Sequence, residues 1–337
     1  MKKSIVSRIN FLLLIGIVFL ILLGGSVHFA PREENLKLQV DVPFALNNAT
    51  VLSEKKQSDA ELDEGVNYQY LFFKEAELSG SIELVERQKV YSLPLPETAE
   101  GYIHVFGKNN RENEEKIIAI VDTDNPSERE IYYLDLDEDG FFYRKIYLRS
   151  GVRDYKVSIL YNVEGNRYRY VHKYKVKNTV EVNKYLTPVQ DVDSEDVRII
   201  EKAKDTTQGL KTDYEKIKAV YQWVSKNHSY DYDKRDKLES KTYKGASGSL
   251  YMLQTQKGVC HDYATLSAAL LRALNIPTQV VVADIEIGGE IVKHAWNKAY
   301  DSDKERWVVF DTTFGAVGGL KYFDSNELKD RPEEKIY

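Results

Sequence analysis

The feature that most constrains this chain is a change of periodicity near Asn178. Before it, short tyrosine-rich and β-branched runs recur about every 10 to 15 residues: YQYLFF, SIELV, YIHVFG, KIIAIV, IYYLDL, YRKIYL, YKVSILY and YRYVHKYKV. Gly, Asn, Asp or Pro separates them, and no helical period is evident. The pattern predicts an all-β, immunoglobulin-like sandwich over residues 66–179. Beyond Asn178 the apolar residues take helical spacing. Residues 194–204 and 212–227 read as helices, the second opened by a Thr212/Glu215 capping box with Ile217, Val220, Tyr221 and Val224 on one face. A third helix is expected to start at Cys260, carry Ala264, Leu266, Ala268, Leu270, Leu271 and Leu274, and stop at Asn275 and Pro277. Alternation then returns in TQVVVADIEI, IVKHAWNKAY and RWVVFDTTF. Helices followed by an antiparallel sheet define an α+β domain, expected over residues 180–337.

The N-terminus bears on compartment. Lys2, Lys3 and Arg8 precede the apolar run Phe11 to Leu23, which, extended through Ala30, approaches the roughly 20 residues that span a bilayer. Pro31 disfavours cleavage after Ala30, and no cysteine follows to take a lipid. Residues 1–30 are therefore expected to be an uncleaved signal anchor, with cleaved secretion as the alternative. Residues 31–65 are expected to be a linker, and the bulk of the chain to lie outside a single-pass cell membrane. A formal net charge of −6 with no long basic stripe argues against nucleic acid as a partner.

One stretch in the first half resembles a calcium loop: Asp135, Asp137, Asp139 and Gly140 match its opening. The twelfth position, which needs a bidentate carboxylate, holds Ile146, and the flanks read as strands. A solvated turn is the expected structure, and neither metal nor cofactor is expected.

The second half holds Cys260, the single cysteine of the chain, within KGVCHDYA. A lone cysteine is ordinarily a small apolar core residue. On the first turn of a helix, however, unpaired N–H groups and the positive end of the macrodipole favour a thiolate, so this one is a candidate nucleophile. His261 follows it on the same helix and projects about 100° away, which places it poorly as a partner. His294 sits in a strand expected to turn near Ser302 and Asp303, which sets it opposite Asp311 to within about one residue of register. Such a carboxylate accepts one ring N–H and leaves the other nitrogen for the sulfur. Cys260, His294 and Asp311 are thus expected as nucleophile, base and orienter. A metal site built from Cys260, His261, His294 and Asp311 would need adjacent helical residues to converge on one ion, and is disfavoured.

The stretches LQTQKGVCHDYATLSAALLRALNIPTQVV, KHAWNKAY and RWVVFDTT resemble the bacterial transglutaminase-like superfamily, with its G-x-C helix, H-A-W strand and D-x-T strand. The upstream YEKIKAVYQWVSKNHSYD is similar to the element that precedes the cysteine there, so the resemblance covers roughly residues 194–323. It implies a papain-like α+β core with the nucleophile at Cys260, the imidazole at His294 and the carboxylate at Asp311. The leading expectation is acyl transfer through a thioester on a protein or peptide substrate, with hydrolysis slightly favoured over cross-linking; the expected anchor makes the setting extracytoplasmic, and a cell-wall-associated substrate is the expected partner. The oxyanion is expected to rest partly on the Cys260 backbone N–H, with Gln254, Gln256, Tyr230 and Trp296 as candidates for a second donor. Two departures concern the substrate-side wall: Phe314 stands where the family often has Trp, and the chain ends soon after residues 322–324. The competing expectation is a non-catalytic surface adhesion or scaffold protein.

Overall fold

The computed structural model describes residues 68–111, 116–165 and 167–337, so the expected anchor and linker lie outside the described residues. All of these fall in one compact unit, residues 47–337. The first described element corrects the strand reading of YQYLFF. Tyr68–Leu78 is a helix, α1. The aromatic run carries strand propensity, but KEAEL after it is helix-forming, and helical spacing lets Phe73 enter an aromatic cluster with Phe106 and Phe141. On the same helix Lys74 reaches Asp137 at 2.6 Å and Asp139 at 2.8 Å. An internal ammonium thus sits against the Asp-rich turn that was expected to be merely solvated.

SIELV is a second correction, since residues 81–84 lie outside any strand and only Val85 enters one; the later runs of the first half are strands. β1 (Val85–Arg87), β2 (Val90–Ser92), β3 (Thr98–Ala99), β4 (Tyr102–Asn109), β5 (Ile117–Asp122), β6 (Glu130–Leu134), β7 (Phe141–Tyr147), β8 (Asp154–Glu164) and β9 (Arg167–Asn178) make two sheets. Their orders are β1-β2-β4-β7 and β3-β9-β8-β5-β6. Period-2 alternation buries Ile103, Val105 and Ile146 from one sheet and Ala119, Val157 and Ile159 from the other in a single cluster. That cluster continues into the second half through Ile199, Val220, Leu266 and Leu270, so both halves share one apolar core.

The second half runs α2 (Val197–Thr206), α3 (Asp213–Asn227), β10 (Ser229–Tyr230), α4 (Tyr232–Glu239), α5 (Ser249–Thr255), β11 (Lys257–Gly258) and α6 (Cys260–Ala273). A sheet of β12 (Thr278–Ile287), β13 (Glu290–Asp301), β14 (Arg306–Phe310) and β15 (Lys335–Ile336) follows, in the order β14-β13-β12-β15, with α7 (Thr312–Gly318) and α8 (Asn326–Lys329) between the last two strands. The expected α3 cap is present: Thr212 Oγ1 accepts from the Glu215 N–H, and the Glu215 carboxylate accepts from the Thr212 N–H. The Asn297 side-chain amide donates to Ala264 O at 2.9 Å and to Gln279 O at 3.1 Å, which ties α6 to the sheet.

Two buried arginines join the halves. Arg149 donates to Glu130, to Lys184 O and to Thr187 Oγ1. Arg272, at the end of α6, donates to Thr187 O, Thr278 O and Tyr337 O, three carbonyls from distant segments. Burial, with Arg149 nearby, pushes its guanidinium down to about 9, and carbonyl dipoles meet its donors. Arg272→Leu leaves those carbonyls without their donors and is expected to cost about 2–4 kcal/mol. Urea denaturation checks this, and an unchanged midpoint at unchanged slope would refute it.

Candidate functional site

Cys260 is placed by a short parallel pair. β10 lies beside β11 with Tyr230 opposite Gly258, and the chain runs extended through Val259 before α6 begins at Cys260. The sharp entry depends on Asp262, two residues into the helix and fully buried. Its carboxylate accepts from the Val259 N–H at 2.8 Å and the Gly248 N–H at 2.8 Å, and pairs with the buried Lys234 ammonium at 2.8 Å. A carboxylate folded back over the turn explains the glycine two residues before the cysteine. A Cβ on Gly258 would lie 2.5 Å from Met252 Sδ and 2.7 Å from Asp262 Cβ, closer than any side chain tolerates. Gly248 answers a similar need, at φ +99° against the backbone of Asp191. As the first residue of α6, Cys260 has no acceptor in the preceding turn for its backbone N–H.

The imidazole and carboxylate meet as expected. His294 Nε2 lies 2.8 Å from Asp311 Oδ2, with both side chains buried. Their register differs from the sequence expectation. β13 and β14 pair Asn297 with Phe310 and Asp301 with Arg306, so Asp311 falls opposite Trp296 by extrapolation, two residues from His294. A shift of two keeps both side chains on one face. Asp311 covers the gap because it lies just past β14, as the N-cap of α7, where Oδ1 accepts from the Phe314 N–H at 3.0 Å. Burial alone would push His294 down. Its bond to Asp311 and a side-chain interaction with Cys260 outweigh that and raise it to about 9. Nε2 is committed to Asp311, which leaves Nδ1 for the sulfur. Burial likewise works to raise Asp311, but His294, the Phe314 N–H and Arg331 hold it below the usual carboxylate range.

The other candidates separate. Trp296 is a wall: its ring stacks on His294 at 6.2 Å and 18°, while Phe314 stacks at 4.7 Å and 15°. The phenylalanine departure from the family pattern thus puts an apolar ring over the imidazole. Tyr230 is half-buried opposite Gly258, and electrostatic influence from Cys260 contributes to its raised phenol, chiefly an effect of burial. Gln254 and Gln256 are exposed, and Gln256 serves as the left-handed cap of α5. His261 turns to Asp191 at 2.9 Å and Tyr337 at 3.2 Å. Among the described residues no group of three or more His, Cys, Asp or Glu could hold a metal ion. A cavity of about 340 Å³ is lined by Asp284, Ile285, Glu286, Asp330, Arg331 and Pro332, but by none of Cys260, His294 and Asp311.

Sequence reasoning missed two groups, Lys234 and Arg331. The hint for the first was an acidic residue at the third helical position with no Ser or Thr to cap the turn. Arg331 lies in a turn after α8 and gave no local signal.

Residues 200–312 match the model of the Transglutaminase-like superfamily. UPF0252 protein MJ1282 of Methanocaldococcus jannaschii is 42% identical over 81 residues, covering 23% of this chain and 23% of that protein. The chain thus spans about a quarter of the curated relative it matches. Among solved structures, a Cytophaga hutchinsonii protein provisionally assigned as a cysteine protease is similar over 72% of each chain at 18% identity and a TM-score of 0.35. The periplasmic domain of TgpA from Pseudomonas aeruginosa is similar over 78% of this chain and 100% of that one, at 16% identity and a TM-score of 0.31. Red sea bream transglutaminase covers 67% of this chain and 50% of its own at 10% identity and a TM-score of 0.27. At such scores none of these likenesses decides fold or activity.

Two outcomes are expected. Lys234→Met leaves Asp262 without its counterion and should cost about 3–5 kcal/mol, read by thermal and urea melts. His294 carries a pKa raised above its unfolded value, so the stability it contributes is complete below about 6.5 and is lost as pH rises through about 9. Wild type should therefore lose stability across that window by more than His294→Gln, and parallel pH curves would contradict the assignment.

Proposed function

We propose that this protein is a cysteine acyl-transfer enzyme of the transglutaminase-like kind, with Cys260 as nucleophile, His294 as acid and base, and Asp311 as the group that orients and supports the imidazole. The observation that carries the reading is the 2.8 Å contact of buried His294 and Asp311 beside a cysteine at the first position of a helix. In the first step the thiolate sulfur bonds to the carbonyl carbon of a carboxamide or peptide bond, and the carbonyl electrons move onto oxygen. The Cys260 N–H is a candidate to receive that oxyanion, with Tyr230 as a candidate second donor. Collapse breaks the C–N bond, and the amine leaves with the proton of the His294 imidazolium. In the second step His294 takes a proton from water or from a lysine amine, which bonds to the thioester carbon and releases the sulfur.

Water and amine compete for one thioester, so solvent exclusion decides between hydrolysis and cross-linking. Hydrolysis of a protein or peptide remains our reading. We further read the two-sheet module as immunoglobulin-like and the whole as extracytoplasmic and membrane-anchored, acting near the cell wall. The support for the anchor is the basic flank and apolar run of the first 30 residues. Among the described residues no helix is long and apolar enough to cross a membrane.

Mass spectrometry of the chain after incubation with an activated ester tests the chemistry. Wild type should gain one acyl group on Cys260, Cys260→Ala none, and His294→Ala should acylate about 10² to 10⁴ times more slowly. Asp311→Asn should retain more activity than Cys260→Ala, because an amide oxygen still accepts the ring N–H. Equal acylation rates in wild type and His294→Ala would sink the proposal. Peptide cleavage assayed beside incorporation of a primary amine then separates hydrolysis from cross-linking.

A further inference from the structure

Asp311 Oδ2 carries a second partner that the triad does not require. Arg331 Nη1 donates to it at 2.9 Å, on the same oxygen that meets His294. Asp311 is fully buried and the Arg331 side chain is 13% exposed, so little water screens the pair. The guanidinium is braced as well as paired. Its carbon lies 5.0 Å from the Phe314 ring centroid and 5.6 Å from that of Trp296, the two rings that stack on His294. Arg331 reaches this position because the segment after α8 returns to the sheet, where Ile336 pairs with Val281 of β12.

We propose that Arg331 is a positioning residue that keeps Asp311 ionised and aimed at His294, so that the segment after α8 completes the site. The proposal rests on the acyl-transfer reading. An ionised carboxylate at 0% exposure needs donors, and His294, the Phe314 N–H and Arg331 are the three that meet it. Two of these are fixed by β13 and α7, and Arg331 supplies the one permanent charge. The other titratable groups that bear on Asp311 are Tyr221 of α3, through charge alone, and Cys260 of α6, through His294. A neutral side chain at 331 makes the carboxyl easier to protonate, so Asp311 takes a proton at higher pH. A protonated Asp311 no longer supports an imidazolium, and the sulfur loses its charged partner.

The single cysteine gives a clean readout: the rate of Cys260 alkylation by iodoacetamide against pH, on the full chain. Arg331→Met is expected to move the acid limb of the profile up by about one pH unit or more. Arg331→Lys, which restores a charge without the fork, should bring it most of the way back. Arg331→Gln serves the same purpose as the methionine variant if that one does not fold. A folded neutral variant whose acid limb matches wild type overturns the proposal, even if its melting temperature falls, because that would show packing alone. His294→Ala, run alongside, separates the two levels: a profile identical to wild type in that variant sinks the triad reading itself.

Discussion

The buried pair of Lys234 and Asp262 is the constraint on which the placement of the cysteine depends. The Asp262 oxygens accept from two backbone N–H groups, that of Gly248 at the start of α5 and that of Val259 at the start of α6, and Lys234 neutralises the carboxylate. Lys234 also donates to Ala246 O and lies over the Tyr251 ring at 3.8 Å, so the ammonium itself is fully engaged. Such a pair contributes little net stability, since desolvation of both charges offsets their attraction. What it contributes is geometry. The extended Val259 and the abrupt start of α6 at Cys260 follow from an Asp262 carboxylate that bonds back to residue 259, and Gly258 follows from the space that carboxylate needs.

The same opposition of burial and pairing recurs at His294 and Asp311. Burial works against the charged form of each group. Together, and with Arg331 and Cys260, each is held in its charged form. The candidate site therefore sets the paired charges of Arg331, Asp311 and His294 inside an apolar wall of Trp296 and Phe314.

Much of this was legible in the sequence, and the exceptions have identifiable causes. The change of periodicity near Asn178 marked the passage from two sheets to helices and a sheet, and Thr212 with Glu215 marked the start of α3. The dyad was reached through strand pairing even though the hairpin is centred one residue later than expected, because a displacement of two in register preserves the face. YQYLFF reads as a strand because aromatic residues favour strands, whereas the helix-forming KEAEL that follows sets the local structure. Arg331 was invisible because its role depends on a long-range return of the chain, and irregular segments carry no periodicity to read. Lys74, which engages Asp137 and Asp139, escaped for the same reason of distance along the chain.

The central claim is that sulfur, imidazole and carboxylate form one electrostatic unit. Titration of the His294 ring by NMR, in wild type and in Cys260→Ala, measures that coupling directly. Asp311 and Cys260 together are what lift the ring to about 9 against burial, so the wild-type midpoint should lie near there and should fall clearly when the sulfur is removed. A midpoint that is the same in both proteins would show that Cys260 and His294 do not interact, and would contradict the account.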